Sequence, residues 1–85
     1  MTDPTLARVL AILSGVARAD RVPREPGADT LLGENGYWLD SVDMLEVILA
    51  CEHEFDISLG DPDELTEEAL ASVGSLAALI ARKLA

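Results

Sequence analysis

Few residues of this chain could carry covalent chemistry, because it has a single histidine, His53, and a single cysteine, Cys51. A hydrolase would need a serine such as Ser41 to be activated by His53 as its base. Both residues fall in one segment with helical periodicity, where twelve residues at 1.5 Å per residue separate them by about 18 Å. They cannot share a proton at that distance, so we expect no catalytic residues and no enzymatic activity in the chain itself.

A metal site is not expected from these residue types either. On a helix, Cys51 and His53 point about 200° apart because they are two residues apart. The acids Asp61, Asp63 and Glu64 lack the spacing and the glycine of a calcium loop. We therefore expect Cys51 to be a small buried apolar residue and His53 to lie at the surface, with no metal bound.

Ser41 lies where a loop meets the second predicted helix. Either Asp40 or Ser41 can cap that helix, since both residue types are favoured N-caps. A hydroxyl at this point lies beside unpaired backbone N–H groups and the positive end of the helix dipole, which together suit an attached phosphate. The carboxylates of Asp40 and Asp43 oppose this effect, so position alone does not decide the function.

Hydrophobic periodicity predicts an all-α fold, a small four-helix bundle with three longer helices, one short helix and a long first loop. The first helix should open at Asp3-Pro4, a cap followed by proline, and end near residue 19. Residues 20–39 form the long loop, which has two prolines and three glycines. We expect Leu31 and Leu32 to hold it against the core.

The remaining predicted helices follow from caps and apolar spacing. The second helix should end at about Phe55, and Asp61-Pro62 should open a further turn. Residues 66–70 are compatible with a short helix, and Ser72 can cap the last one. The inward-facing residues of that last helix are predicted to be Val73, Leu76, Leu79, Ile80 and Leu84.

The second helix carries more apolar surface than a single core-facing stripe. Its apolar arc spans roughly 220°, about twice what a surface helix needs. The half expected to face the core comprises Val47, Ile48, Cys51 and Phe55. The half expected at the surface comprises Val42, Leu45 and Leu49, bordered by Asp43, Glu46 and Glu52. An apolar strip with an acidic rim is typical of a docking face, unless the long loop folds over it.

Charge and composition restrict the class of protein further. The 85 residues carry a net charge of −10, and residues 25–81 include fourteen acids but no lysine or arginine. Such a field disfavours nucleic acid and anionic membranes and favours a basic protein partner. The longest apolar run, residues 76–81, is far shorter than a membrane span, and one cysteine excludes an internal disulfide. We expect a single domain at residues 1–85, monomeric and cytoplasmic.

Residues 39–46, Leu-Asp-Ser-Val-Asp-Met-Leu-Glu, resemble the signature of acyl carrier proteins and peptidyl carrier proteins. In that family an Asp-Ser-aliphatic triplet opens the second helix after a glycine-containing loop. The similarity continues at Glu54-Phe55, where the family has an acidic helix end closed by an aromatic residue. It resumes at Ser72-Val73, which resembles the entry to the family's last helix, so the resemblance covers nearly the whole chain.

The resemblance implies a function for the residue at the head of the second helix. Ser41 would be esterified with the 4′-phosphopantetheine group of coenzyme A, and the terminal thiol of this arm would hold an acyl or aminoacyl chain as a thioester. Asp40 and Val73 would lie near the arm. The implied partner-binding face consists of Val42, Asp43, Leu45, Glu46, Leu49, Glu52 and His53.

The implied partners are a phosphopantetheinyl transferase, an enzyme that loads the acyl or aminoacyl group, and ketosynthase, condensation or transferase-type enzymes, which perform the chemistry.

The chain departs from the family pattern at three places. Val42 replaces the usual leucine or isoleucine, and His53 stands where many fatty acid carriers have an acid. The loop before Asp40 is unusually aromatic, with Tyr37 and Trp38. This loop favours polyketide, nonribosomal peptide or related antibiotic biosynthesis over housekeeping fatty acid biosynthesis.

A second hypothesis retains the same helices without a cofactor. In it the chain is a non-catalytic acidic helical module that docks a basic partner, and Ser41 only caps the second helix. The test that separates the two hypotheses is whether a transferase modifies Ser41.

Overall fold

The computed structural model describes residues 4–61 and 63–85. They form α1 (Pro4–Val16), a 3-10 turn (Ala19–Arg21), α2 (Ser41–Phe55) and α3 (Val73–Leu84). These ranges contain no β-strand, and one isolated bridge joins Leu31 and Ser72. The prediction of an all-α fold is confirmed. No helix in the same ranges combines the length and apolar content that a bilayer span would require.

The predicted helix ends agree closely for two of the three helices. Helix α2 begins at Ser41 and ends at Phe55 as expected, and Ser72 caps α3. Helix α1 ends at Val16, three residues earlier than predicted, because the backbone becomes extended at Arg18 before the 3-10 turn. The predicted cap at Asp3 and the proline of the Asp61-Pro62 turn lie outside the described residues.

The predicted short helix at residues 66–70 does not form in this structure. The segment makes a single turn, in which the backbone N–H of Leu70 donates to the carbonyl oxygen of Thr66 at 3.1 Å and Thr66 Oγ1 accepts from the N–H of Ala69. The next N–H, that of Ala71, donates to the carbonyl oxygen of Glu68 at 3.3 Å rather than to that of Glu67, and the Ala71 carbonyl oxygen accepts from the N–H of Leu32 at 3.0 Å. One turn fixes several dihedral angles for few hydrogen bonds, so no helix extends from it. The described residues therefore form three α-helices rather than four.

The core is built from one face of each helix, with α1 packed against both α2 and α3. Its helical members are Val9, Leu13, Val47, Cys51, Phe55, Val73, Leu76, Ala77, Leu79 and Ile80. The prediction that Leu84 faces the core is wrong, since its side chain is 48% exposed. The last turn of α3 extends past the core. Ile48 is half-buried at its edge.

Backbone hydrogen bonds fasten the long loop to the start of α3. The N–H of Val73 donates to the carbonyl oxygen of Thr30 at 2.9 Å, and the N–H of Gly74 donates to that of Ala28 at 2.8 Å. A Cβ at position 74 would lie 2.9 Å from the Ala28 carbonyl oxygen, so this approach requires glycine. The loop is therefore a fixed part of the fold.

Side chains complete that attachment, although not the expected pair. Leu32 is buried as predicted, whereas Leu31 is 42% exposed. The second anchor is Tyr37, which is only 1% exposed, and its N–H donates to the carbonyl oxygen of Leu31 at 3.0 Å. Gly36 makes this hairpin-like turn possible, because a Cβ there would overlap the Leu31 carbonyl.

The buried thiol of Cys51 generates a pH-dependence of stability. Burial raises the pKa of Cys51 from 9.0 to about 11, so the unfolded chain loses this proton first as the pH rises. The contribution of the protonated thiol is complete below pH 9 and is lost between pH 9 and about 11. It amounts to roughly 2 kcal/mol of unfolding free energy.

Urea unfolding of the wild-type protein and of Cys51→Ala across this pH range isolates the effect, since all other titrating groups are shared. We expect the difference in unfolding free energy between the two proteins to shrink as the pH rises. A difference that is constant with pH would show that the thiol is not buried in solution.

Candidate functional site

The N-terminus of α2 is closed by a reciprocal pair of carboxylates. Asp40 Oδ1 accepts from the backbone N–H of Asp43 at 2.8 Å, and Asp43 Oδ2 accepts from the N–H of Asp40 at 3.2 Å. This is a capping box with Asp40 as the N-cap. The sequence left open whether Asp40 or Ser41 caps α2, and the structure assigns the role to Asp40.

Ser41 is consequently free of the capping role. It is the first residue of α2 and is exposed, and its hydroxyl makes no hydrogen bond to any residue in the described ranges. Ser41 therefore does not cap α2. An exposed, uncommitted hydroxyl at a helix N-terminus is accessible to a modifying enzyme and lies in a field that favours an attached anion.

The two aromatic residues before Asp40 have different environments. Tyr37 is buried in the core, and its hydroxyl has no hydrogen-bond partner within the described part of the chain. Trp38 is 47% exposed and has a φ of 57°, in the left-handed region that bulky residues rarely adopt. The loop thus buries one ring and holds the other at the surface near the head of α2.

Two arginines also reach the head of α2. A cavity of about 120 Å³ lies there. It is lined by Arg18, Arg21, Tyr37, Trp38, Asp40 and Asp43. The sequence pattern did not single out Arg18 and Arg21, because nothing in it shows that the chain after α1 returns to the start of α2. The surroundings of Ser41 are therefore of mixed charge.

The surface half of α2 is exposed as predicted. Val42, Leu45 and Leu49 are 65%, 56% and 55% exposed, and the long loop does not cover them. Positions 42, 45 and 49 follow helical spacing on one face, which begins next to Ser41. Glu46 is exposed beside them, so an acidic group borders the apolar strip.

The other residues proposed for this site differ in their exposure. His53 is exposed in the last turn of α2. Glu52 is half-buried and its Oε2 accepts from the N–H of Leu59 at 2.8 Å, so it holds the chain that follows α2 as well as adding charge. Val73 is fully buried. Its side chain lies in the core, and its predicted proximity to an attached arm stays a prediction.

The residues that could support nucleophilic or metal chemistry are spread along α2 and do not form one cluster. Ser41 lies in its first turn and His53 in its last, whereas Cys51 is buried. Across residues 4–61 and 63–85, no three His, Cys, Asp or Glu side chains are grouped so that they could hold a metal ion. What the site offers chemically is a free hydroxyl beside a mixed-charge cavity and an exposed apolar strip.

Comparison of the chain with models of protein families, with curated proteins and with solved structures found no match.

The capping assignment predicts a difference in stability between two adjacent variants. Asp40→Ala removes the acceptor for the Asp43 N–H and should lower the unfolding free energy by about 1 kcal/mol. Ser41→Ala removes an exposed, unbonded hydroxyl and should change it by less than about 0.5 kcal/mol. Urea unfolding monitored by circular dichroism measures both. A larger loss for Ser41→Ala than for Asp40→Ala would contradict the assignment.

Proposed function

We propose that this chain is a carrier protein that bears a 4′-phosphopantetheine arm on Ser41 and presents acyl or aminoacyl groups to partner enzymes. The observation that carries the proposal is the exposed, uncommitted hydroxyl of Ser41 at the head of α2. The resemblance of residues 39–46 to the carrier signature supports it independently. The aromatic loop before Asp40 favours polyketide, nonribosomal peptide or related biosynthesis.

The head of α2 suits a phosphodiester for three physical reasons. The hydroxyl of Ser41 is exposed, the dipole of α2 places partial positive charge at this end, and two arginines line the adjacent cavity. Asp40 and Asp43 are held in their capping box, so their carboxylates are engaged with backbone N–H groups.

The attachment requires only one atom of this chain to react. Ser41 Oγ would form a bond to the phosphorus that carries the pantetheine chain as the P–O bond of the coenzyme A pyrophosphate breaks. The leaving group is 3′,5′-ADP, and the hydroxyl proton passes to a base of the transferase. When bound, the arm supplies a thiol that holds the cargo as a thioester, while the protein itself binds partners and positions the attachment point.

The strip formed by Val42, Leu45 and Leu49 would be the docking face for these enzymes. A carrier must reach several partners and leave each one, so a small apolar contact with electrostatic steering suits it better than a large interface. Partner surfaces should be basic, to match Glu46 and the net charge of −10. The partners we propose are a phosphopantetheinyl transferase, a loading enzyme, and ketosynthase, condensation or transferase-type enzymes, with His53 at the margin of the contact.

The proposal extends to the remaining architecture. We propose that the segment between α2 and α3, with its single turn at residues 66–70, occupies the position of the short helix in a four-helix carrier bundle. We also propose that the protein acts as a cytoplasmic monomer.

A second candidate is favoured by the same exposed strip, since Val42, Leu45 and Leu49 would serve equally in a non-catalytic module that binds a basic partner. In that case Ser41 would stay unmodified. The modification experiment decides between the two.

Modification of Ser41 is tested by intact-mass measurement after incubation with coenzyme A, Mg²⁺ and a phosphopantetheinyl transferase of broad specificity. We expect addition of one phosphopantetheine group to the wild-type chain and none to Ser41→Ala. Ser58→Ala, which alters another exposed serine, should be modified as the wild type is. A wild-type chain left unmodified while a known carrier domain reacts in the same mixture would refute the proposal and favour the binding module.

The docking strip is tested by placing a charge within it. Leu45→Glu and Leu49→Glu should retain the helical circular dichroism signal, because both side chains are already exposed. Each should lower kcat/KM for modification by the transferase by about tenfold, the size expected when an apolar contact of a docking site is lost. Leu84→Glu changes an equally exposed leucine of α3 and should have no such effect. Unfolding of the strip variants would place these leucines in the core and contradict the assignment.

A further inference from the structure

The cavity of mixed charge at the head of α2 lies at the same end of the helix as the proposed attachment point. Its volume is about 120 Å³, room for about four water molecules at 30 Å³ each. Arg18 and Arg21 form one part of its lining, and Asp40 and Asp43 form another. Asp40 directly precedes Ser41 and Asp43 follows it by two residues, so the cavity lies at the same end of α2 as Ser41, although Ser41 is not one of its lining residues.

The two arginines have unused hydrogen-bonding capacity. Neither forms a salt bridge within the described part of the chain, unlike Arg8, which pairs with Glu54, and Lys83, which pairs with Glu64. The chain has only six lysines and arginines, and none of them lies at 25–81. Two uncommitted guanidinium groups beside the head of α2 are therefore the available counter-charge for an anion at Ser41, and planar guanidinium groups match phosphate oxygens well.

A larger cavity continues from the first one. Its volume is about 340 Å³, and it shares Arg21 and Trp38 with the smaller cavity. The exposed Trp38 ring thus lies where the two spaces adjoin, and a backbone in the left-handed region holds it there. Tyr37, also in the wall of the smaller cavity, has a buried hydroxyl with no partner among the described residues. The combined lining offers guanidinium and aromatic groups, together with the carboxylates of Asp20, Asp40 and Asp43, to a single elongated ligand.

We propose that Arg18 and Arg21 bind the phosphodiester of the arm attached to Ser41, and that the pantetheine chain continues past Trp38 into the larger cavity. This inference rests on the proposed function, since it concerns the group that Ser41 would carry. The ligand class is a phosphodiester followed by a short chain with hydroxyl and amide groups. Arg18, Arg21 and Trp38 are positioning residues in this scheme, because they orient the arm and do not react.

The tether makes even a weak contact effective. A ligand attached next to its binding site has a local concentration in the millimolar range, so two charge-assisted contacts suffice to hold it part of the time. Asp40 and Asp43 would otherwise repel the phosphate, and the two arginines offset that repulsion. The arm would then alternate between a docked state on the carrier and a free state that enters a partner enzyme.

The test uses the full chain with and without the arm, prepared with coenzyme A and a transferase and checked by intact mass. Arg18→Gln combined with Arg21→Gln removes both guanidinium groups, whose side chains are exposed. Arg24→Gln combined with Arg82→Gln is the matched control, because it removes the same charge outside the two cavities. Trp38 is the only tryptophan, so its fluorescence reports on this surface alone.

Two readouts should respond to docking of the arm. Addition of the arm should change Trp38 emission in the wild type and in the control pair, and the change should fall by about half or more in the Arg18/Arg21 variant. The ³¹P resonance of the phosphodiester in the modified wild type should shift as NaCl rises from about 0.05 to about 0.5 M, since salt screens the contact. The Arg18/Arg21 variant should lack that shift.

The outcomes distinguish failure of the docking inference from failure of the proposed function. A modified chain whose emission and ³¹P responses are the same in the Arg18/Arg21 variant as in the control overturns the docking inference and leaves the proposed function intact. A wild-type chain that accepts no arm overturns both. If the Arg18/Arg21 variant cannot be modified or does not fold, the salt titration of the modified wild type tests the docking inference by itself. A ³¹P resonance that does not shift with salt excludes the arginine contact.

Discussion

The hydrogen bonds that close the first turn of α2 are the constraint on which the site depends. A helix N-terminus has backbone N–H groups without intrahelical partners, and some acceptor must satisfy them. Asp40 supplies that acceptor from the residue before the helix, and Asp43 returns the contact to the Asp40 backbone. Because these two carboxylates meet the requirement, Ser41 can occupy the first helical position with its hydroxyl free. The same pair keeps two negative charges beside any group attached there.

The long loop determines what else reaches that position. The backbone of loop residues 28–32 pairs with the chain at the start of α3. The buried side chains of Leu32 and Tyr37 hold the loop against the core. This attachment brings the end of α1, with Arg18 and Arg21, to the same cavity as the head of α2. A loop of this length is uncommon in a compact domain unless it contributes to a site, and here it supplies Arg21, Tyr37 and Trp38, whereas Arg18 precedes it.

Helix α2 combines a structural and an accessible face. Val47, Cys51 and Phe55 are buried, and Arg8 fastens the far end of the helix by lying over the Phe55 ring, 4.2 Å from its centroid, while pairing with Glu54 at 3.1 Å. With one face and one end fixed, the opposite face can remain apolar and exposed without loss of the helix. An apolar surface exposed to water costs free energy, and a partner that covers the surface transiently offsets that cost.

Local signals in the sequence determined the all-α class, the bounds of α2, the Ser72 cap and the two faces of α2, because caps and apolar periodicity are properties of neighbouring residues. They placed Val42, Leu45 and Leu49 at the surface correctly. The predictions of a short helix at residues 66–70 and of an anchoring role for Leu31 were wrong, because the first segment makes a single turn and the Leu31 side chain is 42% exposed. The choice between Asp40 and Ser41 as cap, the burial of Tyr37 against the exposure of Trp38, and the meeting of Arg18 and Arg21 with the head of α2 also came only from the tertiary structure. The cap is a local contact between Asp40 and Asp43, but residue types alone did not distinguish it from a cap by Ser41. The other two features depend on contacts between segments far apart in the chain, and local patterns carry no information about how such segments meet.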